Sequence, residues 1–309
     1  MKAARTTPGR ARKRRRWILP LVLVLAVAAT TLLYVNRRQV LPSTQECRVA
    51  TAAGRVVLDP DQASNAAVIA AVARSRSLPE RAVTIALATA LQESHLENLE
   101  GGDRDSVGLF QQRPSQGWGT AAQISDPVYA TNKFLDGLVK VPGYSRLPLT
   151  EAAQAVQKSG YPQAYAKHET DATVLAAALT GREAASLGCV LSDTAPVAAS
   201  SPQLGKDGLT QGAHRIAAQV RRDFGRTVTV HPAASGAGRV LELVPAGTAD
   251  AADRGGWAAA HWAVARAAEL GVGSVVFGGQ EWRSGAPGGG WSPYRGVAPL
   301  GRVLLTAAG

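Results

Sequence analysis

An uncharged segment from Ala82 to Gln92 constrains the fold of this chain more than any other feature of the sequence. Val83, Leu87 and Leu91 recur every four residues within it, and alanine fills most of the positions between them. Apolar residues at this spacing mark one face of a helix, and the absence of charge on the other faces predicts burial nearly all round. We therefore expect a central helix around which other helices pack.

The sequence also marks both ends of this helix. Ser77 and Glu80 have the spacing of a capping box, which predicts the N-terminus. Glu93 is the first charged residue after the uncharged run, and a glycine-rich polar loop at residues 101–106 follows it. Apolar surroundings and the negative end of the helix dipole both disfavour an ionised carboxyl group. We therefore expect Glu93 to hold its proton and to act as a general acid, as a protonated glutamate does in sugar-cleaving enzymes.

Three motifs extend this pattern: Glu93-Ser94, the Ser-x-Gly-Leu-Phe-Gln run from Ser106 to Gln111, and Asp126-Pro127 followed by Asn132 and Phe134-Leu135. In order and spacing they resemble the lytic transglycosylase and goose-type lysozyme group, the SLT-like branch of the lysozyme superfamily. The resemblance covers residues 65–168. It implies a mainly helical lysozyme-like domain, Glu93 as the catalytic acid, Ser106 and Gln111 beside the cleft, and peptidoglycan glycan strands as the substrate.

One segment departs from the family pattern. Members usually carry an Ala-Tyr-Asn-Ala-Gly run, whose Tyr and Asn hold the substrate and the catalytic glutamate, whereas residues 155–162 read AVQKSGYP here. We expect Gln157 to replace the Asn and Tyr161 to supply the ring, so both are predicted to bind substrate. The departure leaves open a non-catalytic wall-binding protein that kept a lysozyme-like fold.

A second catalytic carboxylate is not evident, although glycosidases generally use a pair. Asp103 and Asp105 lie in the loop after Glu93 and could approach it, but glycine-rich loops commonly carry solvated aspartates. If neither takes part, Glu93 acts alone, first as acid and then as base. In lytic transglycosylases a lone glutamate yields a 1,6-anhydro product from N-acetylmuramic acid, and this chemistry needs no cofactor.

The net charge of +11 is concentrated at the N-terminus. Residues 1–38 contain ten Lys or Arg and no acidic residue, which leaves 24 basic and 23 acidic residues in the remainder. A nucleic-acid-binding surface is therefore not supported. The uncharged residues 17–35 are long enough to cross a bilayer core of about 30 Å at about 1.5 Å per residue.

The distribution of charge around this segment predicts the topology. Eight basic residues precede it, so we expect a cytoplasmic tail at 1–16, a single membrane helix at 17–35 and all later residues outside the cell. The open alternative is a signal peptide cleaved near Ala26-Val27-Ala28. Both alternatives place the rest of the chain in an extracytoplasmic compartment.

Cys47 and Cys189, the two cysteines of the chain, flank the lysozyme-like region. In an oxidising compartment one disulfide between them is the simplest expectation, and two unpaired thiols are the alternative. We place a link at 36–48, the lysozyme-like domain at 49–190 and a Ser-, Ala- and Pro-rich linker at 191–206.

Residues 207–309 predict a smaller α+β domain. Segments 235–242, 262–271, 280–282 and 291–294 resemble an actinobacterial cell-wall domain related to zinc D,D-peptidases. Those relatives have a His and an Asp where this chain has Ser235 and Glu242, and their C-terminal His-x-His run is missing here. Because zinc needs three or more converging N, O or S ligands, we predict a metal-free module that binds the wall or a protein.

Overall fold

The computed structural model describes residues 45–161, 163–191 and 203–308. The predicted tail (1–16), the predicted membrane helix (17–35) and most of the two predicted links (36–48 and 191–206) lie outside these residues. None of the helices in the described ranges is long and apolar enough to span a bilayer. This part of the chain is a mixed helix and sheet protein with nine α-helices and two sheets.

Six helices belong to the first half of the chain: α1 (Pro60–Ser75), α2 (Glu80–Ser94), α3 (Ala121–Ile124), α4 (Pro127–Leu138), α5 (Leu149–Gln157) and α6 (Glu169–Leu179). Helix α2 is the predicted central helix, and every residue from Ala82 to Leu91 is buried. The expected capping box is wrong, because Pro79 is the N-cap. The Glu80 carboxylate instead accepts charge-assisted hydrogen bonds from Arg182 and a further bond from the Thr180 hydroxyl.

A three-stranded antiparallel sheet brings together the two ends of this half. It consists of β1 (Glu46–Thr51), β2 (Gly54–Leu58) and β3 (Leu187–Val190) in the order β2-β1-β3. Cys47 and Cys189 lie directly opposite each other on β1 and β3 and form the disulfide, so the predicted pairing is confirmed. The mainly helical prediction did not include this sheet.

The second half is built on a six-stranded sheet with three helices. Its elements are α7 (Gln211–Phe224), β4 (Val228–Pro232), β5 (Val240–Pro245), α8 (Ala249–Ala265), α9 (Ala267–Leu270), β6 (Val272–Phe277), β7 (Gln280–Arg283), β8 (Ser292–Pro293) and β9 (Val303–Ala307). The strand order is β4-β5-β9-β6-β7-β8, and neighbouring strands are antiparallel. Sequence-distant β9 therefore lies at the centre.

Helix α8 joins the two halves into one core. It packs against α1, α6 and β3 of the first half and against β5, β6 and β9 of the second. Trp257 and Trp262 of α8 are buried, as is Leu270 of α9. Residues 45–309 form one compact unit, so the predicted linker at 191–206 separates two sets of elements that share a core.

Candidate active site around Glu93

Glu93 is the penultimate residue of α2 and is half-buried. The helix ends at His95, which takes a left-handed backbone conformation (φ 56°). The hydroxyl of Tyr165 donates a 2.7 Å hydrogen bond to Oε1 of Glu93. Within the described residues Oε2 has no hydrogen-bond partner, so one carboxyl oxygen is held and the other is available to a substrate.

Tyr165 is fully buried, directly before the 3₁₀ turn Ala166–His168 that leads into α6. Burial raises the pKa of Tyr165, and the bond to Glu93 raises it further. The phenol therefore stays neutral and keeps its proton for the bond to Glu93. Tyr161, the aromatic residue predicted from the motif, is 78% exposed. The ring that contacts Glu93 is Tyr165.

Ser94 attaches the end of α2 to the turn that carries the Gly-Leu-Phe-Gln run. Its buried hydroxyl is 2.7 Å from the carbonyl oxygen of Leu109 and 3.1 Å from that of Ala90 in the preceding helical turn. Consecutive residues of a helix point in different directions, so Ser94 faces the core while Glu93 faces outward. Within the Glu-Ser motif, Ser94 therefore has a structural role and Glu93 remains accessible.

The predicted cleft residues Ser106 and Gln111 contact each other. The Ser106 hydroxyl lies 2.9 Å from Oε1 of Gln111 and 2.8 Å from the carbonyl oxygen of Asp103. Gln111 also donates to the carbonyl oxygen of Gly108 at 3.2 Å. Gly102 is required beside them, because a Cβ there would lie 1.7 Å from Oε1 of Gln111. These contacts fix the shape of the loop after Glu93.

Gln157, the last residue of α5, supports the same turn from the other side. Its amide donates a 2.9 Å hydrogen bond to the carbonyl oxygen of Phe110. The Phe110 ring is fully buried and stacks on Phe134 of α4, with ring centroids 4.8 Å apart. Gln157 therefore positions the turn beside Glu93, and the segment with the Asp-Pro, Asn and Phe-Leu motif packs beneath it.

The two aspartates considered as second carboxylates have different surroundings. Asp105 accepts hydrogen bonds from the Ser115 backbone N–H at 2.8 Å and from Nε of Arg113 at 2.7 Å. These bonds hold the pKa of Asp105 far below its usual range, so the carboxylate stays ionised. The ionised carboxylate stabilises the loop after Glu93 through its bonds to Arg113 and Ser115. The Asp103 side chain is 95% exposed.

His168 is a neighbour of the site that the sequence analysis missed. Its Nε2 atom lies 3.2 Å from Oε1 of Gln92, the residue before Glu93, and its ring meets that of His95 edge-on. Burial and then the charge of Lys167 lower the pKa of His168. No local signal in the sequence separates this histidine from a surface residue, since its place beside Gln92 follows from the packing of α6 on α2.

A separate cavity of about 710 Å³ lies where α1 and the loop after Glu93 meet α7 and α9 of the second half. Asp223, Arg266 and Glu269 form an ion-pair network on its wall. Glu93 does not line this cavity.

Ser235 and Glu242 of the second half, which were predicted to stand in the place of zinc ligands, have different surroundings. Ser235 lies in an exposed loop, and Glu242 on β5 accepts a 2.6 Å bond from Arg302. Within the described residues, no group of three or more His, Cys, Asp or Glu side chains is placed to hold a metal ion. The metal-free interpretation of this half remains a prediction.

Comparison with known protein families gives a match within the second half of the chain. A family profile described as VldE, C-terminal domain matches residues 205–299, nearly the whole second half but under a third of the chain. No curated protein matches the sequence. The first half, which contains Glu93, is therefore interpreted from its motifs and geometry.

Proposed function

We propose that this chain is a membrane-anchored, extracytoplasmic enzyme that cleaves peptidoglycan glycan strands, as a lytic transglycosylase or a muramidase. One observation carries the proposal: the Glu93 carboxyl group has Oε1 held by a buried tyrosine while Oε2 has no partner among the described residues. A carboxyl group fixed in this way can direct its free oxygen at a bound substrate. The contacts of Ser94, Gln157 and Phe110 support the proposal, since they tie the motif residues into one scaffold.

The reaction needs only one carboxyl group. Protonated Glu93 donates its proton from Oε2 to the glycosidic oxygen as the bond from that oxygen to C1 breaks, which leaves positive charge on C1. The carboxylate so formed, still bonded to Tyr165, then takes the proton of the hydroxyl that attacks C1. Attack by the C6 hydroxyl of the same N-acetylmuramic acid gives a 1,6-anhydro end, and attack by water gives a reducing end.

Digestion of purified peptidoglycan by the full chain tests this proposal. The wild type should release soluble muropeptides, and Glu93→Gln should abolish their release while leaving the fold intact. Glu97→Gln, an exposed glutamate four residues further on, is the matched control and should keep wild-type activity. Mass spectrometry of the products separates anhydro from reducing ends. Equal release by Glu93→Gln would exclude Glu93 as the acid, and a wild type that binds peptidoglycan without cutting it would identify a binding protein.

The location outside the cell is part of the proposal. The Cys47–Cys189 disulfide supports it, because such bonds form and persist in oxidising compartments. The predicted membrane helix at 17–35 would tether the enzyme to the membrane, with the wall as its substrate. Protease added to cells with permeable walls but intact membranes should remove a C-terminal tag. Protection of the tag under these conditions would contradict the proposed topology.

A further inference from the structure

A cavity of about 440 Å³ lies at the junction of the two halves, between the C-terminal end of α1, the start of α2 and the start of α8. Two arginines, Arg74 of α1 and Arg254 of α8, line it. The cavity is far from the candidate active site, because Glu80 on its wall and Glu93 are separated by most of α2, about 20 Å at about 1.5 Å per residue.

Arg74 is partly buried and has no counter-ion. Its Nε atom is buried and makes no hydrogen bond, and no carboxylate in the described ranges pairs with its guanidinium group. Its one hydrogen bond is long, 3.5 Å from Nη2 to the carbonyl oxygen of Ala251. Burial also lowers the pKa of Arg74. Charged groups taken out of water are normally paired, so an unpaired guanidinium here indicates a missing anionic partner.

The guanidinium group of Arg74 lies against α8, near Ala251 and Gly255. Gly255 of α8 makes room for the guanidinium group, because a Cβ there would lie 2.4 Å from Nη2. Any larger residue at this position would push Arg74 away from the cavity wall.

The other charges around the cavity also favour an anion. Arg254 is exposed and makes no ion pair within the described residues. Gly247, which directly precedes the N-cap of α8, also lines the cavity, and Asp250 in the first turn of α8 offsets the partial positive charge of this helix end. Glu80 is the acidic residue on the wall, and Arg182 compensates it with two bonds of 3.1 Å.

We propose that this cavity is a binding site for an oxyanion, a carboxylate or a phosphate group, held by Arg74 and Arg254. The planar fork of a guanidinium group fits both kinds of anion, since each presents two oxygens in one plane. The site is independent of the function proposed for Glu93. A bound anion would bridge α1 and α8 and so stabilise the junction of the two halves.

Titration calorimetry on the full chain at low ionic strength tests the site, with inorganic phosphate and acetate as separate ligands. The wild type should bind at least one of them saturably, and the stronger ligand identifies the anion class. Arg74→Gln and Arg254→Gln should each weaken binding by about tenfold or more, the expected effect of losing a charge-assisted contact. Arg55→Gln removes an exposed, unpaired arginine on β2 and is the matched control.

The outcomes separate clearly. The proposal would be overturned if neither anion bound saturably to the wild type. It would also be overturned if Arg55→Gln lost as much affinity as Arg74→Gln and Arg254→Gln, because the anions would then be attracted by net charge alone. If Arg74→Gln fails to fold, the anion affinity of Arg254→Gln tests the proposal instead. Arg254 is exposed, so its replacement should leave the fold intact. A bound anion should also raise the melting temperature of the wild type and leave that of Arg254→Gln nearly unchanged.

Discussion

Replacing His261 with glutamine should remove a defined part of the acid sensitivity of the fold. His261 lies fully buried on α8 at the junction of the two halves. Its Nδ1 atom is 2.8 Å from the carbonyl oxygen of Ala178, and its Nε2 atom is 3.2 Å from the backbone nitrogen of Ser186. The carbonyl requires a proton on Nδ1 and the N–H requires a lone pair on Nε2, so the site fits only the neutral ring.

The size of the effect follows from the pKa. Burial lowers the pKa of His261 to about 4, whereas an unfolded histidine titrates at about 6.5. Because the unfolded chain binds the proton more tightly, the contribution of His261 is fully present above pH 6.5 and is lost as the pH falls toward 4. At about 1.4 kcal/mol per pKa unit, the free energy of unfolding drops by about 2 kcal/mol at pH 5 and by about 3 kcal/mol below pH 4.

Urea unfolding followed by tryptophan fluorescence, at about pH 7.5 and about pH 5, measures this loss. Glutamine can present both an N–H and a carbonyl oxygen, so His261→Gln keeps the hydrogen-bonding groups without the titration. The wild type should lose about 2 kcal/mol more than His261→Gln over this interval. His231→Gln, which removes an exposed histidine on β4, should behave like the wild type. Equal losses in the wild type and His261→Gln would refute the reasoning.

Two further changes address the candidate site and the disulfide. Tyr165→Phe should reduce muropeptide release by about tenfold to a hundredfold, because Tyr165 bonds to the carboxylate that forms when Glu93 donates its proton. A hydrogen bond to a charged group contributes about 1.5–3 kcal/mol. Tyr161→Phe, on an exposed ring, should have no effect, and equal losses in both variants would remove the role given to Tyr165. Replacing Cys47 and Cys189 together with serine should lower the free energy of unfolding by about 2–5 kcal/mol in urea titrations. An unchanged midpoint would show that the cross-link does not stabilise the fold.

Sequence periodicity identified the elements whose signal is local. The uncharged run of α2 predicted its burial because a helix without charge on any face has no side to turn toward water. The disulfide was predictable because the chain has only two cysteines and an oxidising compartment was expected.

The elements that the sequence did not reveal depend on distant partners. The four-residue strand β3 exists because it pairs with β1, whose residues lie about 140 positions earlier in the chain. Strands β7 and β8 are short and lie close to glycines. The alternation of apolar and polar residues along them is therefore too brief to identify a strand from the sequence. Glu80 has the spacing of a capping box relative to Ser77, but in the structure its carboxylate bonds to Arg182. Arg182 is distant in the sequence, so the local pattern around Glu80 does not predict this bond.

The choice between Tyr161 and Tyr165 shows the same limit within the site. Both rings follow Gln157 within a few residues, and motif alignment favoured the nearer one. Tyr161 is exposed, whereas Tyr165, four residues further on, is buried and bonds to Glu93. Which aromatic residue contacts the carboxyl group is therefore decided by the path of the loop between α5 and α6, a property of the tertiary structure.

The position of Glu93 depends on the second half of the chain through a series of packed elements. Tyr165 enters the site immediately before α6, and α6 packs along α2, which carries Glu93. The other side of α6 contacts α8, where His261 bonds to the Ala178 carbonyl oxygen near the end of α6. A shift of α8 would therefore move the helix that positions the tyrosine. Because packed cores transmit displacements instead of absorbing them, the second half supports the candidate site without contributing a residue to it.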